Sequence, residues 1–362
     1  MKHILSGILG DRHRRIIHSV VEEISVSPSE DSIIDQLMPI TDVPAGVLEH
    51  ETISGSGGMT QERALDAEGK EIPGQSSTSV LYKPGSYQES IIYRESDLLK
   101  LRKYGTLGER GATGLTGGEL DHMERGGKKL SVRLKNRAHY LRWEAIFNDR
   151  FVWQGVTKTF GRPSANVITA ATDWSVANTG KPFEDLITIL NTNPVVRKYR
   201  KMIKALVINP KTEADIMKRA LESGYITNAN IQSAGINKVR EFAAPGLPPF
   251  EVVADAYQSE TYDPETQLIT LGDAEYLVPD NKILLVIDFN QSGALYSQYG
   301  ELQLTENMND PSATIQSPAV GMYTFIDEKG LERRKNPFVE LVAGFNGGPN
   351  LMRPDDVIVI SY

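Results

Sequence analysis

Histidines at fixed spacings are a usual sign of a metal site or of acid–base catalysis, and this chain of 362 residues has six of them. None lies in an H-E-x-x-H pattern or in another spacing typical of metal ligands. His122 lies between Asp121 and Glu124, where acidic residues are expected in a first helical turn because of the helix dipole. The chain has no cysteine, which excludes disulfides, thiolate metal sites and cysteine nucleophiles. We predict no metal and no cofactor.

Three further patterns suggest chemistry, and each has a simpler interpretation. The glycine-rich residues 105–119 match neither a phosphate-binding loop nor a dinucleotide fingerprint in spacing, so they favour a hinge before a helix. No serine lies in a G-x-S-x-G elbow. An acidic cluster is typical of a solvated loop that turns at its Asp-Pro pair: Asp255, Glu260, Asp263 and Glu265. We therefore predict no catalytic residue and a protein that is not an enzyme, although residues 181–246 have an α/β pattern that an enzyme of unknown type would also show.

A basic run is the remaining candidate for chemistry. Residues 125–142 contain no acidic residue but seven basic ones, namely Arg125, Lys128, Lys129, Arg133, Lys135, Arg137 and Arg142. The formal net charge of the chain is −8, so no overall positive field attracts nucleic acid. Two interpretations stay open at this point. The run is either a helix face that is solvated or paired with acidic neighbours, which we favour, or a nucleic-acid-binding surface.

One long helix carries this run. Residues 116–119 form a capping box, and the apolar or small residues that follow recur at intervals of three and four. They predict one buried face: Leu120, Met123, Gly127, Leu130, Leu134, Ala138, Leu141 and Ala145. If the helix is continuous within residues 116–148, about thirty residues at ~1.5 Å each make it roughly 45 Å long. Gly126 and Gly127 lower the helix propensity and permit a bend.

The segments before this helix have little to bury. Residues 31–54 contain Pro39 and Pro44 and favour an extended course rather than a packed element. Residues 54–79 are rich in glycine and serine and too long for an ordinary connection, so we predict a projecting flap. Strand-forming residues follow it, and residues 95–105 predict a short amphipathic helix.

The segments after the helix predict a mixed α+β protein. Strands are expected on both sides of the α/β stretch of residues 181–246, and Asn209-Pro210 marks the junction of a strand and a helix. The longest aliphatic run, residues 283–287, is far too short to span a membrane. We expect a soluble protein without a signal peptide or a membrane association.

The layout of arm, flap, long helix and α/β domain resembles the tailed-bacteriophage major capsid proteins of the Hong Kong 97 fold, and more narrowly the lambda-type major capsid protein E family. Four segments carry the resemblance: "IIDQLMPITDV" (33–43), "YQESIIYRESDLLKLR" (87–102), "LRWEAIFNDRFVWQG" (141–155) and "NPFVELVAGFNGGPNLMRPDDVIVISY" (336–362). The lead "GERGATGLTGGE" and residues 272–289 depart from the pattern of the family.

The resemblance implies a division of the chain into domains. Its parts are an N-terminal arm (1–45), an extended β-hairpin loop or flap (46–95), a peripheral domain (96–164) with a spine helix (116–150), an axial domain (165–315) and C-terminal strands of the peripheral domain (316–362). As candidate subunit contacts it points to Tyr82, Tyr87, Ile91, Tyr93, Arg94 and Arg102. A flap of this kind gains stability by adding strands and buried side chains to a neighbouring subunit.

The resemblance also implies a function and partners. The chain is expected to be a shell subunit that forms hexamers and pentamers and encloses double-stranded DNA in an icosahedral or elongated phage head. Scaffold, portal and decoration proteins are expected partners, with assembly in the host cytoplasm and a final location in the virion. The nearest alternative is the shell of an encapsulin-like compartment. A nucleic-acid-binding protein that uses residues 125–142 is a further alternative.

Overall fold

The computed structural model describes residues 33–43, 48–54, 76–82, 85–94, 117–225, 235–263, 268–287, 297–302, 322–329, 338–351 and 353–362. The helices in these ranges are α1 (Ile33–Leu37), α2 (Gly117–Asn148), α3 (Pro182–Thr192), α4 (Pro194–Tyr199), α5 (Pro210–Glu222) and α6 (Ile236–Ala243). The strands are β1 (Ile40–Val43), β2 (Leu48–Ser54), β3 (Ser76–Tyr82), β4 (Gly85–Arg94), β5 (Arg150–Trp153), β6 (Val156–Thr159), β7 (Val167–Thr169), β8 (Ile203–Ile208), β9 (Phe250–Val252), β10 (Ala256–Asp263), β11 (Leu268–Tyr276), β12 (Lys282–Ile287), β13 (Ser297–Leu302), β14 (Met322–Lys329), β15 (Phe338–Leu351) and β16 (Ile358–Ser361). This mixture of helices and largely antiparallel sheets confirms the predicted α+β class.

The chain divides into two compact units. The first contains residues 1–49, 81–142 and 298–350, and the second contains residues 50–80, 143–297 and 351–362. The long helix α2 is continuous, so Gly126 and Gly127 do not interrupt it. Its predicted buried face is confirmed where side chains are described, because Met123, Leu130 and Leu134 are at most 3% exposed.

The sheet of the first unit is organised around β15. β15 pairs antiparallel with β14 along one of its edges and antiparallel with β4 along the other. It also pairs with β13, which in turn pairs in parallel with β1. Leu341, Val342, Ala343 and Phe345 are all buried. Because successive strand residues point to opposite faces, this run shows that both faces of β15 are covered.

The second unit contains a five-stranded sheet in the order β7-β16-β12-β8-β9. β16, at the C-terminal end of the chain, pairs in parallel with β7 and antiparallel with β12. The residues from Ile283 to Ile287 on β12 are at most 7% exposed, so this sheet is also covered on both faces. α3 and α5 bury Phe183, Leu186 and Ile216 in the same unit.

Local sequence signals explain where the helices of the second unit begin. The side chain of Asn209 accepts a hydrogen bond from the backbone N–H of Thr212 at 2.7 Å, and Pro210 occupies the first turn of α5. The Asn193 side chain caps α4 in the same way, by accepting from the backbone N–H of Val195 at 2.9 Å. The predicted junction of strand and helix at Asn209-Pro210 is thus confirmed.

Two segments differ from the sequence-based expectation. The extended course predicted before the flap is wrong in part, because residues 33–37 form α1 and bury Ile33, Ile34 and Leu37. The acidic residues Glu260 and Asp263 were predicted to lie in a loop, but β10 runs through residues 256–263 and pairs with β11, whereas Asp255 lies outside the strand as predicted. β10 contains two tyrosines and a threonine, residue types that favour strands, and its charged residues obscured that signal.

The C-terminal part of the chain is shared between the two units. β14 and most of β15 belong to the first unit, and β16 belongs to the sheet of the second. β13 pairs with β15. Pairing between strands far apart in sequence decides these placements, and sequence periodicity does not encode it. The division into arm, flap, peripheral domain and axial domain stays a prediction.

Candidate assembly interface

The strand β4 lies along the first part of α2, and its side chains alternate between the helix and the outside. Tyr87, Glu89, Ile91 and Tyr93 are the less exposed set, while Gln88, Ser90 and Ile92 are exposed. This period of two is the pattern of a strand with one covered face. The sequence shows the same alternation, with the larger apolar side chains at the odd-numbered positions.

The contacts between β4 and α2 follow one register. The guanidinium of Arg137 lies over the ring of Tyr87, 5.1 Å from its centroid. Arg133 donates two hydrogen bonds to the carboxylate of Glu89, one of them from Nη2 to Oε1 at 3.0 Å. Tyr93 donates from its hydroxyl to the carbonyl oxygen of Met123 at 3.4 Å. Two residues of a strand rise about as far as four or five residues of a helix. Every second residue of β4 can therefore contact a residue about one turn further along α2, and the two elements run in opposite directions.

Gly126 permits the closest approach of strand and helix. A Cβ atom at this position would lie 1.7 Å from the hydroxyl oxygen of Tyr93 and 3.4 Å from Cδ1 of Ile91. No side chain therefore fits there while Tyr93 keeps its position. Burial raises the pKa of Tyr93 to about 12, so its hydroxyl stays protonated as a donor at neutral pH. Burial also raises the pKa of Tyr87, and Arg137 partly opposes that shift.

α1 is fastened to α2 by a buried ion pair. Arg142 is 1% exposed, and its Nη1 donates to Oδ1 of Asp35 and, at 3.4 Å, to the carbonyl oxygen of Met38. His139 lies beside the pair, with Nε2 3.9 Å from Oδ1 of Asp35. Burial, together with the charges of Arg142 and Lys135, lowers the pKa of His139 to about 4, although Asp35 opposes this shift. His139 is therefore neutral at pH 7.

These contacts account for much of the basic run of α2. Arg133, Arg137 and Arg142 contact groups of the same chain, and Lys128 forms an ion pair with Glu124 at 3.1 Å, one turn away. The paired interpretation of the run is thus the one that the contacts favour over a nucleic-acid surface. Sequence reasoning identified the arginines but not their partners, Glu89 and Asp35. The sequence did offer one signal, because Arg133 and Arg137 are four residues apart and therefore lie on the same face of the helix.

The six candidate contact residues lie at different places in the described chain. Tyr87, Ile91 and Tyr93 are on the side of β4 that faces α2, and their described contacts are within the same chain. Arg94 is the last residue of β4, and Tyr82 is the last residue of β3. Arg102, like the short helix expected at residues 95–105, lies outside the described residues. Their role in contacts between subunits stays a prediction.

The outward side of β4 is the surface that this arrangement leaves for another molecule. Ile92 is 49% exposed although it lies in the middle of a run of strand residues. Among the described strands β4 pairs only with β15, so its second edge has no strand partner there. An exposed edge of this length is a template for the addition of another strand.

Neither a metal site nor a membrane-spanning helix is found among the described residues. They contain no group of three or more histidine, cysteine, aspartate or glutamate side chains placed to hold a metal ion. No helix within the described ranges combines the length and the apolar composition that crossing a lipid bilayer requires.

No protein-family model matches the sequence, and no curated protein sequence matches it. Among solved structures, the chain is similar to a phage-related protein from Bordetella bronchiseptica RB50, at 10% identity and a TM-score of 0.48 over 95% of this chain and 96% of that one. It is similar to the satellite phage P4 procapsid, at 12% identity and a TM-score of 0.47 over 96% and 90%. It is also similar to the SrpI encapsulin of Synechococcus elongatus, at 11% identity and a TM-score of 0.41 over 92% and 89%.

Proposed function

We propose that this chain is the major subunit of a phage head, which assembles with copies of itself into hexamers and pentamers and encloses double-stranded DNA. The proposal assigns the chain a structural role and no reaction. Scaffold, portal and decoration proteins would be its further partners, and the shell would form in the host cytoplasm. The N-terminal arm and the flap would reach neighbouring subunits, and α2 would act as the spine of the peripheral domain.

The ribbon formed by β2 and β3 carries this proposal. The two strands, of seven residues each, pair with each other and with no further strand among those described. A two-stranded ribbon alone is marginally stable in water. A ribbon of this kind is expected to gain stability by lying on another surface, and in a shell each copy can offer that surface to the next.

The strand that follows the ribbon in sequence is well fixed. Only residues 83–84 separate the end of β3 from the start of β4. β4 is held on one side by the backbone bonds to β15 and on its face by Arg133, Arg137 and the Gly126 contact. A short connection to a fixed strand limits the conformational entropy that the ribbon would lose on binding a neighbour.

Electron microscopy and sedimentation of the purified protein test the proposal directly. Rings or closed shells are expected for the protein alone or for the protein expressed with its neighbouring genes. Uniform monomers under all these conditions would contradict the proposal. The content of any shell separates a phage head from a compartment, since nuclease-resistant genomic DNA supports the former and an enclosed enzyme supports the latter.

A deletion isolates the role of the ribbon. Replacing residues 54–79 by a short Gly-Ser linker is expected to leave cooperative unfolding of the subunit unchanged and to prevent assembly. The matched control is the full-length chain at the same concentration and ionic strength. Loss of cooperative unfolding in the deletion variant would show that the flap belongs to the core of the subunit, which is contrary to the proposal.

A further inference from the structure

A second ribbon, formed by β10 and β11, is exposed on both of its faces. The two strands pair antiparallel over residues 256–276, with a bulge where Ser259 faces Gly272 and Asp273. They form a sheet of their own, roughly 25 Å long at about 3.3 Å per residue. The base of the ribbon is fixed, because Leu277 is buried and its N–H donates to the carbonyl oxygen of Asp255 at 2.9 Å.

The register of this ribbon separates two kinds of side chain. Leu271 lies opposite Glu260 and Tyr276 lies opposite Ala256, and the bulge places both pairs on the same face as Ala274. Leu271 is 56% exposed and Tyr276 is 37% exposed. The other face is polar, and there Tyr257 donates to the carboxylate of Glu275 at 2.7 Å. A narrow sheet with an exposed apolar face is typical of a surface that binds another protein.

The charge of the ribbon decides what can bind it. Residues 255–276 contain no lysine, arginine or histidine but six carboxylates, namely Asp255, Glu260, Asp263, Glu265, Asp273 and Glu275. Two such ribbons would repel each other if they paired face to face. Nucleic acid is excluded for the same reason. The partner surface must therefore be basic.

The same unit carries such a surface on α4 and the turn that follows it. Five of the eight residues 197–204 are basic and none is acidic, and all five are exposed: Arg197, Lys198, Arg200, Lys201 and Lys204. No ion pair described in the structure engages Arg200 or Lys201. The other basic run, on α2, is already occupied in part by Glu89, Tyr87 and Asp35.

We propose that the β10–β11 ribbon of one subunit docks on the α4 surface of a second copy of this chain. The contact joins two different surfaces of identical chains, so it is head-to-tail and generates a ring when the rotation closes. The choice of a second copy as the partner rests on the proposed function, in which each subunit lies next to copies of itself. Salt weakens the contact because exposed charges are screened over about 8 Å at physiological ionic strength.

Charge reversal tests this contact in the full-length chain. The ribbon variant carries Glu260→Lys and Asp273→Lys, and the helix variant carries Arg200→Glu and Lys201→Glu. Each is expected to raise the concentration for half-maximal assembly at least tenfold, while the unfolding midpoint stays within the range of the parent chain. Lys218→Glu with Lys238→Glu is the matched control, because these exposed residues lie on α5 and α6 and outside both surfaces.

Combining the two sets of substitutions distinguishes a specific contact between the ribbon and α4 from a general effect of charge on assembly. A chain with all four substitutions is expected to assemble again, and an equimolar mixture of the two variants is expected to form rings of alternating subunits, as native mass spectrometry would show. If the parent chain assembles and both variants assemble equally well, the docking inference fails and the shell function stands. Failure of the fourfold variant to assemble while folded would also overturn the inference. A parent chain that never assembles would overturn both proposals.

Discussion

Replacing Gly126 by alanine is expected to destabilise the subunit, against the usual trend for helices. Ala is more favourable than Gly in a helix interior by ~1 kcal/mol, so the substitution would stabilise an unhindered helix. Here the new Cβ would lie 1.7 Å from the hydroxyl oxygen of Tyr93, which is closer than any non-bonded contact allows. Tyr93 is 3% exposed, so a shift of its ring disturbs buried contacts.

The expected loss in the free energy of unfolding is the sum of three contributions. Overpacking of a well-filled interior costs about 1–3 kcal/mol, and displacing the Tyr93 hydroxyl from the Met123 carbonyl removes a hydrogen bond of about 0.5–1 kcal/mol. The gain in helix propensity offsets about 1 kcal/mol of this sum. We expect a net loss of about 1–2 kcal/mol in the free energy of unfolding, measured by urea denaturation of the dissociated subunit and followed by circular dichroism.

A double-mutant cycle with Tyr93→Phe identifies the cause. Removing the hydroxyl leaves Cζ as the nearest ring atom, 3.0 Å from the added Cβ, a distance that a shift of a few tenths of an ångström relieves. In that background Gly126→Ala is expected to be neutral or stabilising, with a coupling energy of about 2 kcal/mol. Stabilisation by Gly126→Ala in the parent chain, or the same loss in both backgrounds, would refute the steric explanation.

Three further perturbations address other contacts. Asp35→Asn leaves the buried guanidinium of Arg142 without its counter-charge and is expected to lower the free energy of unfolding by about 3 kcal/mol; an unchanged urea midpoint would contradict a buried ion pair. The pKa of His139 falls from 6.5 in the unfolded chain to about 4 in the fold, so stability is fully present above pH 6.5 and decreases as the pH falls towards 4, by on the order of 2–3 kcal/mol. His139→Gln is expected to reduce the dependence of stability on pH between 4 and 6.5 in thermal unfolding scans. An unaltered profile would show that other groups cause this dependence. Tyr362→Ala removes a ring stacked on Trp174 at a centroid distance of 4.4 Å, and a loss of about 2–4 kcal/mol is expected from urea titration; a loss below 1 kcal/mol would mean that the stack is weakly coupled to the fold.

The sequence predicted the elements whose signals are local. The buried face of α2 follows from apolar residues at intervals of three and four, and the start of α5 follows from Asn209 and Pro210. Gly126 shows the limit of this reasoning, since propensity alone suggests a bend, and only the distance to Tyr93 explains the missing side chain. The partners of Arg133 and Arg142 are 44 and 107 residues away in sequence, so no local pattern reveals them.

The position of β4 shows how one helix can hold a strand and still leave part of it for the proposed assembly. β4 uses one edge for β15 and one face for α2, its other edge has no strand partner among the described strands, and Ile92 is exposed. Because the residues of α2 that hold β4 are buried or paired, a substitution there acts first on the stability of the subunit and only then on assembly. Substitutions on the outward side of β4 lack that first effect. For each substitution, the loss of assembly can be divided by the loss in the free energy of unfolding. A high ratio on the outward side of β4 and a low ratio at the α2 residues that hold β4 would separate a surface that binds neighbours from the residues that position it.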